Sequence, residues 1–292
     1  MRAVECVWPG AAELGEGPVW STPDQALWFV DIKGRAVLRF DPATATRQTW
    51  AAPDQISFIL PETGGDFIVG LPGQLARFSP ATGAFEQLVE IEPERPHNRL
   101  NDACVDSAGR LWFGTMDDLQ TEASGGLYSW HGAGAPIAHD QDFVISNGPA
   151  HSPDGRTMYH TDTVRQTIFR FDAAETGEIS NKKILIQIED SAGFPDGTTI
   201  DSEGCLWVAI WNGGQVRRYS PQGKLLETVA LPCSNVTKIA FGGPDLKTAF
   251  VTTARVGLSQ EALAMQHLAG SIFTFEVDVP GLPSPPIASA FK

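Results

Sequence analysis

Short apolar or alternating runs recur along the whole chain, with turn residues between them. Residues 26–31 (Ala-Leu-Trp-Phe-Val-Asp) form an almost continuous apolar run, which is typical of a buried strand. Residues 36–41 alternate between apolar and polar side chains, and the turn Asp41-Pro-Ala-Thr44 follows them. Residues 14–20 are a candidate first strand, and residues 48–50 are a candidate short fourth strand. The first unit is therefore predicted to contain four strands joined by turns.

The same group of strands returns at a nearly constant spacing. Its copies begin near residues 16, 57, 101, 147, 196 and 237. A period of roughly 40–50 residues is typical of the four-stranded blades of a propeller. The pattern therefore predicts an all-β fold, a six-bladed β-propeller with four-stranded blades and one domain over residues 1–292. A sandwich or jelly roll would explain the strands but not the period.

Three further segments fit around this ring. Residues 3–8 are expected to form a strand that completes the last blade, so that the ring closes without an open edge. Residues 258–267 have helical character, with Ser259 as a candidate cap. The proline-rich residues 280–286 are expected to lie extended on the surface.

One polar position recurs where the repeats begin. When Gly109, Gly155 and Gly204 are aligned, the residue eight positions earlier is Asn101, Asn147 or Asp196. The first strand of each blade lines the central tunnel, so a residue at this position points toward the axis in every blade. Around the ring the position is occupied by Glu16, Ser57, Asn101, Asn147, Asp196 and Thr237.

Carboxylates and amides that converge on one axis are the ligands of a hard cation. Like-charged carboxylates held close together are unfavourable unless a cation lies between them, and no nearby lysine is expected to neutralise them. Oxygen ligands favour Ca²⁺, Mg²⁺ or Mn²⁺, with Zn²⁺ and Fe²⁺ also considered. Asn and Asp are also common at strand entries for backbone reasons, but four such residues at equivalent places favour a central metal site.

Composition narrows the class of protein. The chain is 42% hydrophobic and 19% charged, so it has enough apolar residues for a large core. Its net charge of −14 argues against nucleic acid or an anionic membrane as a partner. The four cysteines show no zinc-binding spacing, and no signal core or membrane-length apolar run is present. A cytoplasmic protein with no obligate protein partner is expected.

The motifs together resemble those of the gluconolactonase/regucalcin (senescence marker protein) family over nearly the whole chain. The motifs are Leu14-Gly-Glu-Gly-Pro18, Asn101-Asp102 with Gly109-Arg-Leu-Trp-Phe-Gly-Thr-Met116, Ser146-Asn-Gly-Pro149 with Ser152-Pro-Asp-Gly155, and Pro195-Asp-Gly197. The resemblance implies a six-bladed propeller that hydrolyses sugar lactones with one divalent metal in its tunnel. It also implies that Glu16, Asn147 and Asp196 are the metal ligands.

The same resemblance implies a substrate site. Arg99 and Asn101, in Asn98-Arg-Leu-Asn-Asp102, match substrate-binding positions. A surface ion pair of Arg99 with Asp102 or Glu94 is the alternative. Residues 117–124 resemble the family's lid region, where Asp118 and Glu122 are both candidates for an acidic substrate contact.

The sequence thus predicts a metal-dependent lactonase that converts a glucono-, xylono- or arabinono-lactone to its aldonic acid. Asp196 is the candidate general base, and activation of water by the metal is the competing route. A broader metal-dependent esterase or organophosphate hydrolase is one alternative. A non-enzymatic calcium-binding propeller is the other. A serine esterase is disfavoured because the chain has no Gly-x-Ser-x-Gly motif.

Overall fold

The computed structural model describes residues 2–288, which form six four-stranded antiparallel sheets around a tunnel. The chain begins with β1 (Glu5–Trp8). Blade 1 contains β2 (Gly15–Ser21), β3 (Ala26–Asp31), β4 (Ala36–Asp41) and β5 (Thr46–Ala51). Blade 2 contains β6 (Ile59–Pro61), β7 (Phe67–Leu71), β8 (Gln74–Ser79) and β9 (Ala84–Glu90). Blade 3 contains β10 (Asn98–Val105), β11 (Leu111–Asp117), β12 (Gly125–Trp130) and β13 (Ile137–Phe143).

The second half of the ring repeats this arrangement. Blade 4 contains β14 (Ser146–His151), β15 (Thr157–Asp162), β16 (Thr167–Ala173) and β17 (Ile179–Gln187). Blade 5 contains β18 (Phe194–Ile200), β19 (Leu206–Trp211), β20 (Gln215–Tyr219) and β21 (Leu225–Ala230). Blade 6 contains β22 (Val236–Gly242), β23 (Thr248–Thr253) and β24 (Ile272–Glu276). The predicted six-bladed, four-stranded propeller is confirmed.

The first and last parts of the chain meet in blade 6. Strand β1 pairs antiparallel with β24, in the register Glu5↔Thr274 and Cys6↔Phe273, and forms the outer strand of that blade. The inner strands of blades 6 and 1, β22 and β2, also contact each other. The ring therefore closes between the two ends of the described chain, which leaves no open sheet edge between blades.

A buried aspartate stabilises the repeated turn between the inner strand and the second strand. In blade 5, Asp201 accepts hydrogen bonds from the backbone N–H groups of Glu203 and Cys205, both at 3.0 Å, and from Trp207 Nε1 at 3.0 Å. In blade 3, Asp106 accepts a bond from Trp112 Nε1 at 2.9 Å. Both indoles are buried between blades, so this carboxylate satisfies polar groups that burial would otherwise leave unpaired.

The segment after β24 packs against the face where the inner strands end. Ser202 N donates to Pro280 O at 2.9 Å, and Ile287 N donates to Pro61 O at 2.8 Å. The segment therefore runs from blade 5 to blade 2. Its residues 282–285 line a cavity of about 310 Å³ on this face. Leu282, Pro283 and Pro286 are exposed, as expected for an extended surface segment, whereas Gly281 and Ile287 are buried and anchor it at both ends.

One α-helix, α1 (Gln260–Met265), lies within residues 2–288, between β23 and β24. The Ser259 side chain caps it by accepting a hydrogen bond from Ala262 N, as the sequence predicted. Across the same described range, no helix is long and apolar enough to cross a membrane.

Candidate functional site

A cavity of about 390 Å³ opens on the face where the chain enters the inner strands. Five of the seven predicted site residues line it: Glu16, Arg99, Asn101, Asn147 and Asp196. They come from four different blades, so the propeller brings together side chains that are up to 180 positions apart in the sequence, as from Glu16 to Asp196. The volume lies within the range of small-molecule sites.

A β-bulge in the inner strand positions each of the three predicted metal ligands. The pairing register shifts between Glu16 and Val19, and the same shift follows Asn147 and Pro195 in their strands. A bulge leaves an extra residue unpaired and redirects the neighbouring side chain. A glycine follows the predicted ligand within each shifted stretch, at Gly17, Gly148 and Gly197.

Gly148 shows why the bulge needs glycine. Its φ is +53°, a conformation that L side chains rarely adopt. A Cβ atom there would also lie 2.7 Å from Thr198 Oγ1 and 2.9 Å from Thr161 Oγ1. Any other residue would displace the strand that carries Asn147.

The six equivalent positions of the inner strands divide into two groups of three. In the first group, each side chain donates a hydrogen bond to a backbone carbonyl oxygen of the next blade. The acceptor belongs to the residue just before the equivalent position of that blade. These bonds run from Ser57 Oγ to Leu100 O, from Asn101 Nδ2 to Ser146 O (2.9 Å) and from Thr237 Oγ1 to Gly15 O (2.6 Å). This group therefore stabilises the contact between neighbouring blades.

The second group consists of Glu16, Asn147 and Asp196. Ionised carboxylates cannot donate a hydrogen bond. In place of Asn147, Thr163 Oγ1 donates to the carbonyl oxygen of Pro195 in the next blade, at 2.8 Å. The Asn147 side chain instead donates to Thr163 Oγ1 at 3.0 Å. None of these three side chains therefore makes the hydrogen bond that connects neighbouring blades in the first group.

The two carboxylates lack a cationic partner. Glu16 and Asp196 are both buried, and within residues 2–288 neither forms a salt bridge. Burial, followed by the charge of Asp102, raises the pKa of Glu16 to about 8. Burial, followed by the charge of Glu16, raises the pKa of Asp196 well above its usual range. Both raised values mean that the site would be stabilised by an added positive charge.

The expectation that no lysine lies near these carboxylates is wrong. Lys238 is buried, its Nζ forms a short ion pair with Asp102, and it donates to Ala103 O at 3.1 Å. Its charge lowers the pKa of Glu16 and of Asp196, but by less than burial raises them. Lys238 was missed because it lies in a blade without the Asp-x-x-Gly turn, one residue beyond the repeat position.

The donor set fits a single hard divalent ion. Two carboxylates and one amide oxygen are ligands that such ions prefer. Asn147 Oδ1 accepts a hydrogen bond from Asn101 Nδ2 at 2.7 Å, and a carbonyl oxygen has a second lone pair. In the part of the chain that the structure describes, no three His, Cys, Asp or Glu side chains cluster as a metal site. The structure thus supplies a plausible set of ligands but does not itself show a metal centre.

Arg99 connects the inner strands to the loop at the cavity mouth. It is buried, and its Nη1 donates to Asn101 Oδ1 at 2.6 Å. Its Nε donates to Asp118 Oδ1 at 2.7 Å, so the alternative ion pairs with Asp102 or Glu94 are not formed. Asp118 also accepts hydrogen bonds from Lys33 Nζ, at 2.7 and 3.0 Å.

The charge on Asp118 is strongly stabilised. Partial burial pushes its pKa upward, but hydrogen bonds from Lys33 and Gln55 and the charge of Arg99 outweigh burial and hold the pKa at about 2. Asp118 therefore remains ionised and holds Arg99 in place. It lies beside the cavity, behind Arg99, and is not part of the lining.

Glu122 lies apart from the other predicted residues. Its side chain is exposed and does not line the cavity, and its backbone N–H donates to Asp117 Oδ2 at 3.1 Å. Asp117 also accepts bonds from Leu119 N and Thr121 N, which fixes the loop. Gln120 of this loop reaches the cavity instead.

Several lining residues were not predicted as site residues, although a common signal was present. Lys33, Gln120, Thr163 and Trp211 lie at or just after the end of the second strand of a blade. Those strand ends lie on the same face as the starts of the inner strands.

Comparison with known proteins adds independent information. A family model described as the SMP-30/Gluconolactonase/LRE-like region matches residues 14–255. The chain is 36% identical to a 6-deoxy-6-sulfogluconolactonase from Pseudomonas putida, over 97% of this chain and 98% of that protein. It is 35% identical to regucalcin from Danio rerio, over 96% of each chain. A solved structure of a calcium-binding protein, regucalcin, from Agrobacterium tumefaciens matches with a TM-score of 0.94 and 28% identity, over 98% of this chain and 97% of that one.

Proposed function

The chain belongs to the SMP-30/gluconolactonase/LRE-like family, and on that premise we propose that it is a divalent-metal-dependent sugar lactonase. In this proposal it hydrolyses the ring ester of an aldonolactone and releases the aldonic acid. The observation that carries the proposal is the pair of buried carboxylates, Glu16 and Asp196, which share one cavity with Arg99 and have no cationic partner within residues 2–288.

Glu16, Asn147 and Asp196 would hold the ion. When bound, the ion would act as a Lewis acid that polarises the lactone carbonyl. The oxygen ligands favour Ca²⁺, Mg²⁺ or Mn²⁺, and Zn²⁺ and Fe²⁺ are compatible with them. The name of the Agrobacterium tumefaciens neighbour, a calcium-binding protein, supports an ion of this kind.

Arg99 and Asn101 are proposed to bind the substrate. Arg99 donates through Nε and Nη1 to protein acceptors, whereas its Nη2 has no acceptor within residues 2–288. Because Arg99 lines the cavity, Nη2 is available to donate to the ring oxygen or a hydroxyl group of a lactone. Asp118 and Lys33 fix the guanidinium from behind, so substrate binding would not require it to be ordered first. Glu122 would contact a substrate only if the loop moved.

Asp196 is the proposed general base. Ester hydrolysis requires water to lose a proton as it adds to the carbonyl carbon, and the ring oxygen to gain one as its bond to that carbon breaks. Asp196 lines the cavity and is well placed to take the first proton. A carboxylate that also binds a cation has a lowered pKa, which weakens it as a base. The metal as activator of the water is therefore the competing route.

The substrate class follows from the relatives and from the cavity. The name of the Pseudomonas putida relative specifies a six-carbon lactone, which supports a gluconolactone-type substrate. The cavity of about 390 Å³ also admits the smaller xylono- and arabinono-lactones. Trp211 in the lining offers an aromatic face on which a sugar ring can pack.

A non-enzymatic calcium-binding protein is the second candidate, and it is favoured by the name of the Agrobacterium tumefaciens neighbour, a calcium-binding protein. Such a protein requires the three ligands but not Arg99. Replacing Arg99 with Met therefore separates the two functions. In a lactonase, we expect divalent binding to persist while kcat/KM falls by about 100-fold or more.

The decisive experiment measures lactone hydrolysis by pH-stat with a panel of hexono- and pentono-lactones. Metal-stripped protein is assayed first, and the same preparation is assayed again after each divalent ion is restored. We expect activity to be lost on stripping and recovered with at least one ion. If no lactone is hydrolysed with any of the ions, the proposed function is wrong.

A further inference from the structure

An ion pair crosses the tunnel directly below the candidate metal site. Lys238 is in β22 of blade 6 and Asp102 is in β10 of blade 3, so the pair joins opposite sides of a six-bladed ring. Both side chains are buried. Asp102 Oδ2 also accepts a hydrogen bond at 2.9 Å from the N–H of Gly148, the residue that follows Asn147. The carboxylate is therefore fixed from two blades.

The stem of Lys238 lies against the backbone that carries a predicted metal ligand. A Cβ atom on Gly197 would lie 2.4 Å from Lys238 Cγ and 2.6 Å from its Cβ. Gly197 follows Asp196 in the chain, and its own φ does not require glycine. The absence of a side chain at residue 197 is thus explained by the passage of the lysine stem.

The ion pair also divides the tunnel. Glu16 and Asp196 line the cavity of about 390 Å³ on one side, and Lys238 lines the cavity of about 310 Å³ on the other. Lys238 forms its ion pair with Asp102 alone, but its stem lies against Gly197, the residue that follows Asp196. One buried lysine therefore lies beside the carboxylates of the site while it is paired with Asp102.

We propose that the tunnel contains two cation positions and that the ammonium group of Lys238 permanently fills the one at Asp102. This inference rests on the proposed metal dependence of the first position. Asp118 neutralises the charge of Arg99, which also lines the cavity. With Lys238 in place, the three remaining carboxylates and one ammonium have a net charge of −2, which a single divalent ion neutralises. Without it, the charge of −3 leaves Asp102 free to bind a second cation. Lys238 is thus a positioning residue that fixes the number of ions at one.

The test counts bound ions in three variants. Lys238→Met keeps the apolar stem against Gly197 but removes the charge, Lys238→Arg keeps a charge, and Asp102→Asn with Lys238→Met removes both charges. Isothermal titration of metal-stripped protein with Ca²⁺ and with Mn²⁺ gives the stoichiometry without any lactone. We expect one ion for the unaltered protein and for Lys238→Arg, two for Lys238→Met, and one for the double variant.

Each outcome decides for or against the proposal. One ion in Lys238→Met, or two ions in the unaltered protein, overturns it, as does the absence of any bound ion. If Lys238→Met fails to fold by circular dichroism, Asp102→Asn provides the second measurement. Its unpaired ammonium is then free to compete for Glu16 and Asp196, so divalent affinity should fall by about 10-fold or more, and unchanged affinity overturns the proposal. The pH-stat assay of the unaltered protein tests the lactonase function separately from this count.

Discussion

At the scale of single residues, the candidate metal ligands occupy positions whose side chains do not make the hydrogen bond between neighbouring blades. Thr237 and Glu16 occupy equivalent places in neighbouring inner strands, but Thr237 donates to the next blade and a carboxylate cannot. Asn101 and Asn147 are chemically identical, yet Asn101 donates to Ser146 O while Thr163 replaces Asn147 in that role. Residue type alone therefore does not distinguish a proposed ligand from a structural donor, whereas the hydrogen bonds place the two asparagines in different groups.

Replacing Asp196 with Asn separates its two proposed roles. The substitution removes a negative ligand and the proposed base, so we expect divalent affinity to fall and kcat at saturating metal to fall by roughly 10²–10⁴-fold. Metal content is measured by titration, and turnover is measured by pH-stat on the same preparation. Full metal occupancy with a near-normal rate would exclude the base role and leave Asp196 as a ligand only.

At the scale of strands and loops, the sequence predicted the repeated blades but not the ion pair that crosses the tunnel. The blades were predictable because a group of four strands returns at a nearly constant spacing, and because blades 3 and 5 share a turn aspartate, Asp106 and Asp201. The convergence of Glu16, Asn147 and Asp196 followed from that repeat. The pairing of Lys238 with Asp102 was not predictable because it joins opposite blades through 136 positions of sequence. Position in a repeat gives no information about which non-repeating side chains will meet.

The cavity-mouth loop shows a second limit. Asp118 and Glu122 are both acidic, and both follow β11, so composition does not distinguish them. The structure separates them because Asp117 caps the loop through the N–H groups of Leu119, Thr121 and Glu122, which turns Glu122 outward. The choice depends on the hydrogen bonds of one neighbouring residue, and these follow from loop geometry that no residue pattern encodes.

The bulge in β14 can be tested by Gly148→Ala. The new methyl group combines a positive φ with close contacts to Thr198 and Thr161, so the strand must shift and move Asn147. We expect weaker divalent binding and a loss of roughly 2–4 kcal/mol in the free energy of unfolding. Titration with Ca²⁺ and urea denaturation of the metal-stripped protein measure the two effects.

Gly134→Ala is the matched control for that substitution. Gly134 also has a positive φ, +70°, but a Cβ atom there has no neighbour within 4 Å. Its loss should be limited to backbone strain, about 1 kcal/mol, with divalent affinity unchanged. Equal effects of the two substitutions on affinity would show that the bulge does not position Asn147.

At the scale of the whole molecule, the propeller buries two carboxylates, Glu16 and Asp196, in one cavity, which is unfavourable unless a cation binds there. The ring closes around two carboxylates that burial disfavours, in a chain whose formal net charge is already −14. The stability of the metal-free protein should therefore depend on whether these groups are protonated. A bound divalent ion should change that dependence because it binds the ionised forms.

The sign of this effect follows from the pKa of Glu16, about 8 in the folded protein against an ordinary 4.5. Between these values the folded state binds more protons at Glu16 than the unfolded state, so this group lowers the stability of metal-stripped protein as pH rises. Burial lowers the pKa of His139, His151 and His160, and these groups act in the opposite direction up to their ordinary value of 6.5, so a net fall is expected from pH 6.5 to 8. Each pKa unit corresponds to about 1.4 kcal/mol, and each kcal/mol to roughly 2–4 °C in Tm for a chain of this size. Calorimetry should show Tm falling between pH 6.5 and 8 in the stripped protein, and a Ca²⁺-induced rise in Tm that is larger at pH 8 than at pH 6.5. In Glu16→Gln the fall should be shallower and the Ca²⁺ effect smaller. A Tm that rises between pH 6.5 and 8 in the stripped protein would show that the two carboxylates are not the uncompensated charges of the tunnel.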